Sequence, residues 1–366
     1  MNTKGIMYRW SAFLQKLLSN THLYQVQALA AFSFAAARTR HCHLSRLAAE
    51  VPLPVLPGSI LRRLKRLLNN EHLDVEAICK QAAAYLKAWN QHSARLIILL
   101  DETPHSNRWR VLKVSVCFRR RALPLVWRTD ALSGRSVTTR VEEVLKQTGE
   151  IIKQYAPQAQ VILLADGGLC WPSIMDFCQA NGWHYVLGAQ SQTRFRWQDE
   201  QGVEQRCSLG ELVQQAGDYW KGSGRAFAKA GWREVTAIAC WRSGSQEAWL
   251  LVSDLPPSLP LVRWYARRMW HEQSFRAEKS HGFNWQDSRI KEASRVHRLL
   301  LILALAQLWL MSMGSRVRQS PQLKKWSLTC GQERQRLSVF QAAWQYLVRC
   351  LNLGVLPPCD LSFLTP

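Results

Sequence analysis

Two short apolar segments that each run into an aspartate constrain the fold more than any other part of this sequence. The first is Arg95-Leu-Ile-Ile-Leu-Leu-Asp101, and the second is Val161-Ile-Leu-Leu-Ala-Asp166. Apolar runs of this length are typical of buried strands. Either aspartate alone is also typical of a turn or a helix cap. Together the two segments predict a pair of strands that each end in a carboxylate.

The segments around these two runs predict alternating strands and helices. We expect further strands at residues 111–118, 123–127 and 184–187, and helices at 137–155 and 172–181. The resulting order is strand, strand, strand, helix, strand, helix, strand. This order predicts an α/β fold with a ribonuclease-H-like core, in which a mixed sheet is flanked by helices. In such a core the first and fourth strands lie side by side, so Asp101 and Asp166 should be neighbours.

Changes of composition along the chain predict four regions. Residues 1–90 show helical periodicity, whereas 190–258 are rich in glycine and tryptophan between short apolar runs, which is typical of β structure. We predict an all-α DNA-binding region at 1–90, a catalytic core at 91–189 and 259–320, and a β-rich insertion at 190–258. A C-terminal helical region at 321–366, with Arg334, Arg336, Arg349 and Trp344, is expected to contact DNA or a second subunit.

One segment, 299–313, is apolar enough to raise the question of a membrane. It is about 15 residues long, and roughly 20 are needed to cross a bilayer. It also contains Gln307. These features favour a buried helix, and no membrane association is expected.

The charge of the chain indicates a polyanionic partner. Its 366 residues include 48 Lys and Arg against 26 Asp and Glu, a net charge of +22. Binding to a phosphate backbone is the simplest use of such an excess. A predicted helix that begins near Ser59, a candidate N-cap, is loaded with charge by Arg62, Arg63, Lys65 and Arg66. With the short helix before it, this forms a helix-turn-helix candidate, although helical hairpins are also common without DNA.

The ten cysteines are scattered and include no Cys-x2-Cys pair, which argues against a zinc ribbon. His41-Cys42-His43 contains candidate metal ligands but lacks a partner cluster, so a loop is the favoured interpretation. Without a signal peptide, the cysteines are expected to be reduced, which indicates a cytoplasmic protein.

Four polar residues recur at helical spacing near residue 270. Tyr265, Arg268, Glu272 and Lys279 are separated by steps of 3, 4 and 7, which return to one face of an α-helix. An ordinary surface ion pair between Arg268 and Glu272 is one interpretation. The other is an all-oxygen metal site completed by Glu272, since Asp101, Asp166 and Glu272 are the donors that Mg²⁺ or Mn²⁺ prefers. Two such ions, about 3.5–4 Å apart, support phosphoryl displacement.

These motifs resemble the DDE transposases of insertion-sequence elements. The spacing of Tyr265, Arg268, Glu272 and Lys279 fits the Tyr-x2-Arg-x3-Glu-x6-Lys signature of the insertion-sequence-four group. Leu100-Asp101-Glu-Thr-Pro resembles the first acidic motif of that group, and Leu164-Ala-Asp166-Gly-Gly resembles the second. The resemblance covers roughly residues 90 to 320, including a large β-insertion before the glutamate.

The resemblance implies a role for each matching residue. Asp101, Asp166 and Glu272 would form the catalytic triad and bind Mg²⁺ or Mn²⁺, expected as two ions. Tyr265, Arg268 and Lys279 would hold phosphates near the cleaved DNA end.

Trp249 resembles the tryptophan on which some members stack a flipped base when they cut through a DNA hairpin. A core tryptophan of the β-rich insertion is the alternative interpretation of Trp249. Stacking on an aromatic ring contributes ~1–3 kcal/mol per base.

The resemblance implies a cut-and-paste DNA transposase. Such an enzyme would bind the terminal inverted repeats of its own element, cleave the ends, and join the 3′-hydroxyls to target DNA. A homodimer on double-stranded DNA, in a prokaryotic cytoplasm and associated with the nucleoid, would follow. The alternatives are a structure-selective nuclease on the same core and a catalytically idle, transposase-derived DNA-binding protein.

Overall fold

The computed structural model describes residues 3–92, 94–105, 108–131, 137–279, 282–320 and 338–363, without the side chains of residues 105, 137, 138, 277, 279 and 286. The described residues before the first strand form helices joined by short loops. They are α1 (Thr3–Leu17), α2 (Leu23–Thr39), α3 (Leu44–Glu50), α4 (Pro57–Asn69), α5 (Val75–Ala82) and a 3-10 helix (Ala83–Trp89).

The next part of the chain alternates strands and helices in the predicted order. Its elements are β1 (Arg95–His105), β2 (Trp109–Phe118), β3 (Arg121–Ala131), α6 (Val137–Tyr155), β4 (Gln160–Ala165), a 3-10 turn (Gly167–Leu169), α7 (Pro172–Ala180) and β5 (His184–Gly188). The apolar runs of β1 and β4 are buried, as their composition predicts.

Five more strands and a group of helices complete the described chain. The strands are β6 (Arg194–Gln198), β7 (Glu204–Ser208), β8 (Tyr219–Ala226), β9 (Arg233–Cys240) and β10 (Trp249–Ser253). The helices are α8 (Leu259–Tyr265), a 3-10 turn (Ala266–Arg268), α9 (Met269–Lys279), a 3-10 turn (Trp285–Ser288), α10 (Ala293–Gln319) and α11 (Val339–Leu353).

The ten strands of the described residues belong to one mixed sheet in the order β3-β2-β1-β4-β5-β10-β9-β8-β6-β7. The pairs β1–β4 and β4–β5 are parallel, and the others are antiparallel. Helices flank this sheet, so the architecture is an α/β core. The β-rich segment is continuous with that core, because β10 pairs with β5.

The two faces of the sheet pack against different helices. Alternate residues of a strand point to opposite faces. On β1, Ile98 and Leu100 belong to a large apolar core that includes much of α10, whereas Ile97 and Leu99 belong to a smaller core with Tyr265 of α8. The smaller core lies on the face that carries Asp101, since residues 97, 99 and 101 alternate along β1.

The N-terminal helices share the large core with α10. The ring of Trp10 in α1 stacks on Trp309 in α10 at 4.8 Å between centroids, and its Nε1 donates to Ser33 Oγ of α2 at 2.9 Å. Helix α11 joins the same core, and Trp344 Nε1 donates to the Arg38 carbonyl at 3.1 Å. Residues before β1 and after α9 therefore stabilise each other.

Helix α10 is longer than the sequence predicts. It has 27 residues, which makes it long and apolar enough to cross a membrane, and 89% of its most apolar window is buried inside the protein. Its apolar side chains contact the sheet on one side and the N-terminal helices on the other, so burial against protein accounts for its composition.

Candidate active site

The strand pairing brings Asp101 and Asp166 together. Parallel pairing of β1 with β4 ends at Leu100 and Ala165, so the two aspartates are the next residues on neighbouring strands. Asp166 follows β4 directly, as predicted. Asp101 does not end its strand, because β1 continues in antiparallel pairing with β2 as far as His105. The two acids are neighbours because β4 ends just before Asp166, at the level of Leu100 in β1.

The residues of the Tyr-Arg-Glu pattern lie on three successive helical segments instead of one α-helix. Tyr265 is the last residue of α8, Arg268 ends the following 3-10 turn, and Glu272 lies in the first turn of α9. Arg268 Nη2 lies 3.0 Å from Glu272 Oε1, and its Nη1 lies 3.9 Å from Asp166 Oδ2. The ion pair that the spacing allowed is therefore present, and the same guanidinium also reaches an acid of the sheet.

The three carboxylates affect one another electrostatically. Burial raises the pKa of Asp101 to about 7, and the charges of Asp166 and Glu272 act in the same direction while Arg268 opposes them. Burial alone would lower the pKa of Arg268, but Tyr265 and the three acids raise it overall. The site thus concentrates negative charge around one guanidinium, and Asp101 is only partly ionised at neutral pH unless further positive charge arrives.

The hydroxyl of Tyr265 is held against the end of β5. A Cβ atom at Gly188 would collide with Tyr265 Oη and would lie 2.9 Å from the backbone nitrogen of Gly167. Burial raises the pKa of Tyr265 to about 12, so the phenol is neutral and can donate a hydrogen bond. Sequence reasoning missed Gly188, whose only signal was its place at the end of a predicted strand.

Trp249 lies beside Tyr265 at the start of β10. Their rings are 5.4 Å apart in an edge-to-face arrangement, and Arg242 lies 5.5 Å from the centre of the Trp249 ring. Trp249 is half-buried, so it belongs partly to the smaller core and partly to the surface. Its predicted stacking on a flipped base stays a prediction. Lys279 is the last residue of α9, and its side chain lies outside the described part of the structure.

The opposite face of α9 is polar and buried, which the sequence did not reveal. Ser274 Oγ accepts a hydrogen bond from the backbone nitrogen of Ala122 at 2.9 Å. The ring of His271 lies 3.1 Å from Ser115 Oγ through Nε2, and it stacks on Phe275 at 4.5 Å. Burial lowers the pKa of His271, so the imidazole is neutral.

The last contact of this face is an ion pair between Glu278 and Lys113 of β2, at 2.6 Å. Residues 271, 274, 275 and 278 follow the spacing of a buried helix face. That spacing could have indicated a buried face of α9 from sequence alone. Three of the four residues are polar, however, and polar residues at this spacing are typical of an exposed face. Glu272 is directed to the carboxylate site because this face is fixed to the sheet.

The donor set suits a hard divalent cation. Asp101, Asp166 and Glu272 supply only oxygen ligands, which Mg²⁺ and Mn²⁺ prefer. In the side-chain arrangement that the described residues adopt, no three His, Cys, Asp or Glu groups converge as a metal site. The Arg268 guanidinium pairs with two of the carboxylates, those of Asp166 and Glu272. Glu272 is about two-fifths exposed, so its side chain has room to turn towards an ion.

The four basic residues predicted for DNA contact are all exposed on α4. Arg62, Arg63, Lys65 and Arg66 project from the helix, while its apolar stripe is buried. The helix begins at Pro57 with Leu56 as its N-cap, so the predicted N-cap Ser59 is wrong; a proline suits the first helical position.

Arg63 and Arg66 also line a groove of about 970 Å³ between α1, α2 and α4. Tyr24 lies at this groove and is largely exposed. Basic and aromatic side chains therefore occur on the same surface, as they do in many nucleic-acid interfaces.

The structure also describes the predicted loop at residues 41–43. His41 Nε2 lies 3.2 Å from Asp287 Oδ2, and His41 Nδ1 accepts from the backbone of His43 at 2.9 Å, so the His41-Cys42-His43 segment forms a hydrogen-bonded loop. Arg334 and Arg336 lie outside the described residues.

Comparison with known protein families gives one match, over part of this chain. Residues 133–309 match the family model of the transposase DDE domain. The match runs from α6 through most of α10, so it contains Asp166, Glu272 and the β-rich segment, and it leaves Asp101 and the N-terminal helices outside. A search of curated proteins found no match.

Proposed function

We propose that this protein is a DNA transposase of the insertion-sequence-four group. It would cleave the ends of its own element and join the 3′-hydroxyls to target DNA. One observation carries the proposal: Asp101 and Asp166 are neighbours on parallel strands, and Glu272 reaches the same guanidinium that pairs with Asp166. The match to the transposase DDE domain supports it. The strand order of the core is the basis for regarding it as ribonuclease-H-like.

The carboxylates would act as metal ligands in this proposal. Asp101, Asp166 and Glu272 would hold Mg²⁺ or Mn²⁺, expected as two ions. Held there, such ions would supply Lewis-acid chemistry for phosphoryl transfer, at the attacking and the leaving oxygen. The burial of Asp101 serves this role, because a buried acid with a raised pKa gains most from a nearby cation.

The remaining site residues would hold the DNA end. Arg268 carries a charge at all relevant pH values and offers several N–H donors to a phosphate. Tyr265 offers a neutral hydroxyl beside it, and Lys279 would add a third contact. Trp249 borders Tyr265, which is where an unpaired base could stack if cleavage proceeds through a hairpin.

DNA recognition would use the N-terminal helices. Residues 1–90 would bind the terminal inverted repeats through the exposed basic side chains of α4, and the net charge of +22 would strengthen contact with DNA in general. Synapsis of two ends implies a homodimer on DNA, with α11 and the C-terminal residues as candidate contacts. A prokaryotic cytoplasm, at the nucleoid, is the corresponding location.

A cleavage assay tests this function. Purified protein should cut DNA that carries its own element ends when Mg²⁺ or Mn²⁺ is present, and should join the cut ends to a plasmid. Asp166→Ala and Glu272→Gln should each abolish cutting while end binding stays nearly unchanged. Asp176→Asn, which removes an exposed carboxylate that pairs with Arg233, is the matched control and should cut normally.

The outcomes separate the proposal from its alternatives. Cutting without joining would identify a structure-selective nuclease, and DNA binding without cutting would identify an idle DNA-binding protein. Terminal inverted repeats bounded by short direct repeats should flank the reading frame. Wild-type cutting rates in either triad variant would contradict the assignment of the site.

A further inference from the structure

A buried ion pair fastens α9 to the sheet. Lys113 Nζ lies 2.6 Å from both carboxylate oxygens of Glu278, and the side chains are only 4% and 5% exposed. The ring of Phe275 lies 5.0 Å from the same ammonium group and screens it from solvent. Removing two charges from water costs several kcal/mol per ion, and the attraction within a buried pair often does no more than offset that cost. Stability alone is therefore a weak reason for this pair.

The ion pair between Lys113 and Glu278 lies near the carboxylate site, on α9 and on the strand that pairs with β1. Lys113 is the residue directly opposite Asp101 in the antiparallel pairing of β1 with β2, so the two side chains leave the same face of the sheet. Glu278 lies on the same helix as Glu272, less than two turns further on. The ion pair thus connects the strand position that carries one acid to the helix that carries another.

The apolar contact of α9 with the ion pair is less selective for the position of the helix. Phe275 packs through apolar surface, and such contact is non-directional. A shift of one residue moves a helix by about 1.5 Å and rotates it by about 100°. Such a rotation would carry Glu278 off the face that contacts Lys113, so their ion pair opposes it. The contacts of His271 and Ser274 with β2 and β3 oppose rotation as well.

We propose that Lys113 and Glu278 are positioning residues for the metal site. Their pairing sets the rotation and register of α9 on β2, and thereby the separation of Glu272 from Asp101. This inference rests on the proposed metal-dependent function. Mg²⁺ requires near-ideal octahedral geometry, so an error in the position of one carboxylate should weaken binding while the fold persists.

Metal affinity measured on DNA-free protein tests this role independently of cleavage. Mn²⁺ binding would be followed by electron paramagnetic resonance, together with the melting temperature, for wild type, Glu278→Gln and the double variant Lys113→Met, Glu278→Met. Glu278→Gln should weaken Mn²⁺ binding about tenfold or more, as changes around metal ligands commonly do. The double variant removes both charges and should recover much of the melting temperature. Its Mn²⁺ affinity should stay low.

A matched control separates positioning from general stability. Asp360→Asn removes a half-buried ion pair with Arg316, at 2.8 Å, that joins α10 to the C-terminal segment. It should lower the melting temperature without changing Mn²⁺ affinity. The positioning role is overturned if Glu278→Gln or the double variant binds Mn²⁺ within twofold of wild type. A wild-type protein that neither binds Mn²⁺ nor cuts DNA would instead overturn the proposed function, and this role with it.

Discussion

Arg268 and Glu272 form an ion pair of 3.0 Å across one helical turn, and the second arm of the same guanidinium lies 3.9 Å from Asp166. An arginine in this position neutralises acids that would otherwise repel one another. Under the proposed function it would also yield part of that contact when a metal ion or a phosphate binds. The pair therefore belongs to the carboxylate site and is more than a surface contact.

Replacing Arg268 should inactivate the site without preventing DNA binding. We expect Arg268→Gln to lower the rate of end cleavage about a hundredfold or more, because the variant lacks the guanidinium that would stabilise the reacting phosphate. End binding, measured by gel shift, should change little, since most of the residues proposed to bind DNA lie elsewhere. Arg267→Gln is the control: its guanidinium stacks 5.5 Å from Trp270 and pairs with no acid in the described structure. Equal decreases in the two variants would contradict a specific role for Arg268.

A methyl group at Gly188 should disturb the site through Tyr265. In Gly188→Ala the new Cβ meets the Tyr265 hydroxyl and the Gly167 nitrogen, so α8 or β5 must move. We expect a decrease of about 1–3 kcal/mol in the free energy of unfolding, measured by urea titration, and a larger fractional decrease in cleavage. Adding Tyr265→Phe removes the atom that the methyl group meets and should restore part of the stability. If the second change restores nothing, the collision is not the cause.

The stability of the metal-free protein should depend on Asp101 and pH. Its folded-state pKa of about 7 lies above its usual value of 3.8, so the folded protein retains a proton that the unfolded chain loses between those values. The free energy of unfolding should then fall as pH rises from about 4 to about 7, and the full penalty should persist above pH 7.

Asp101→Asn removes this penalty. Urea titrations without metal should find it more stable than wild type by a few kcal/mol at pH 8, with the difference shrinking towards pH 4. Saturating Mg²⁺ should stabilise wild type and leave Asp101→Asn nearly unaffected. A pH-independent difference would show that the charge of Asp101 is not its source.

The basic face of α4 should control the salt dependence of DNA binding. For each phosphate that a variant no longer neutralises, the slope of log K against log salt should decrease by about 1. We expect Arg63→Ala with Arg66→Ala to reduce the slope by up to about 2 on end DNA, measured by fluorescence anisotropy. Lys153→Ala, an exposed lysine on α6, is the control and should leave the slope unchanged. Unchanged slopes in all variants would place the DNA elsewhere.

The parts of the fold that could be predicted from sequence are those governed by local periodicity. The apolar runs before Asp101 and Asp166 predicted two buried strands, and their parallel pairing follows the predicted order of elements. The end of β1 was misplaced, because it depends on pairing with β2 beyond Asp101 and not on the composition of β1. The spacing from Tyr265 to Glu272 predicted a helical face but not the 3-10 turn within it.

The interactions that orient the site could not be predicted in this way. Lys113 and Glu278 are 165 residues apart, and each alone is typical of a solvated surface charge. Only the folded structure shows that they bury each other. Gly188 likewise has no distinctive sequence context, since its importance comes from a tyrosine that arrives from α8.

The pairing of β10 with β5 has a consequence for how this chain could change in length. Deleting residues 190–258 would leave the backbone N–H and C=O groups of β5 as an open sheet edge, which invites aggregation. It would also remove the strand that leads into α8 and supports Tyr265. The β-rich segment therefore tolerates shortening only at β6 and β7, where β7 is already the edge strand of the sheet. Natural variation in size should accumulate there, while β9 and β10 stay constant in length.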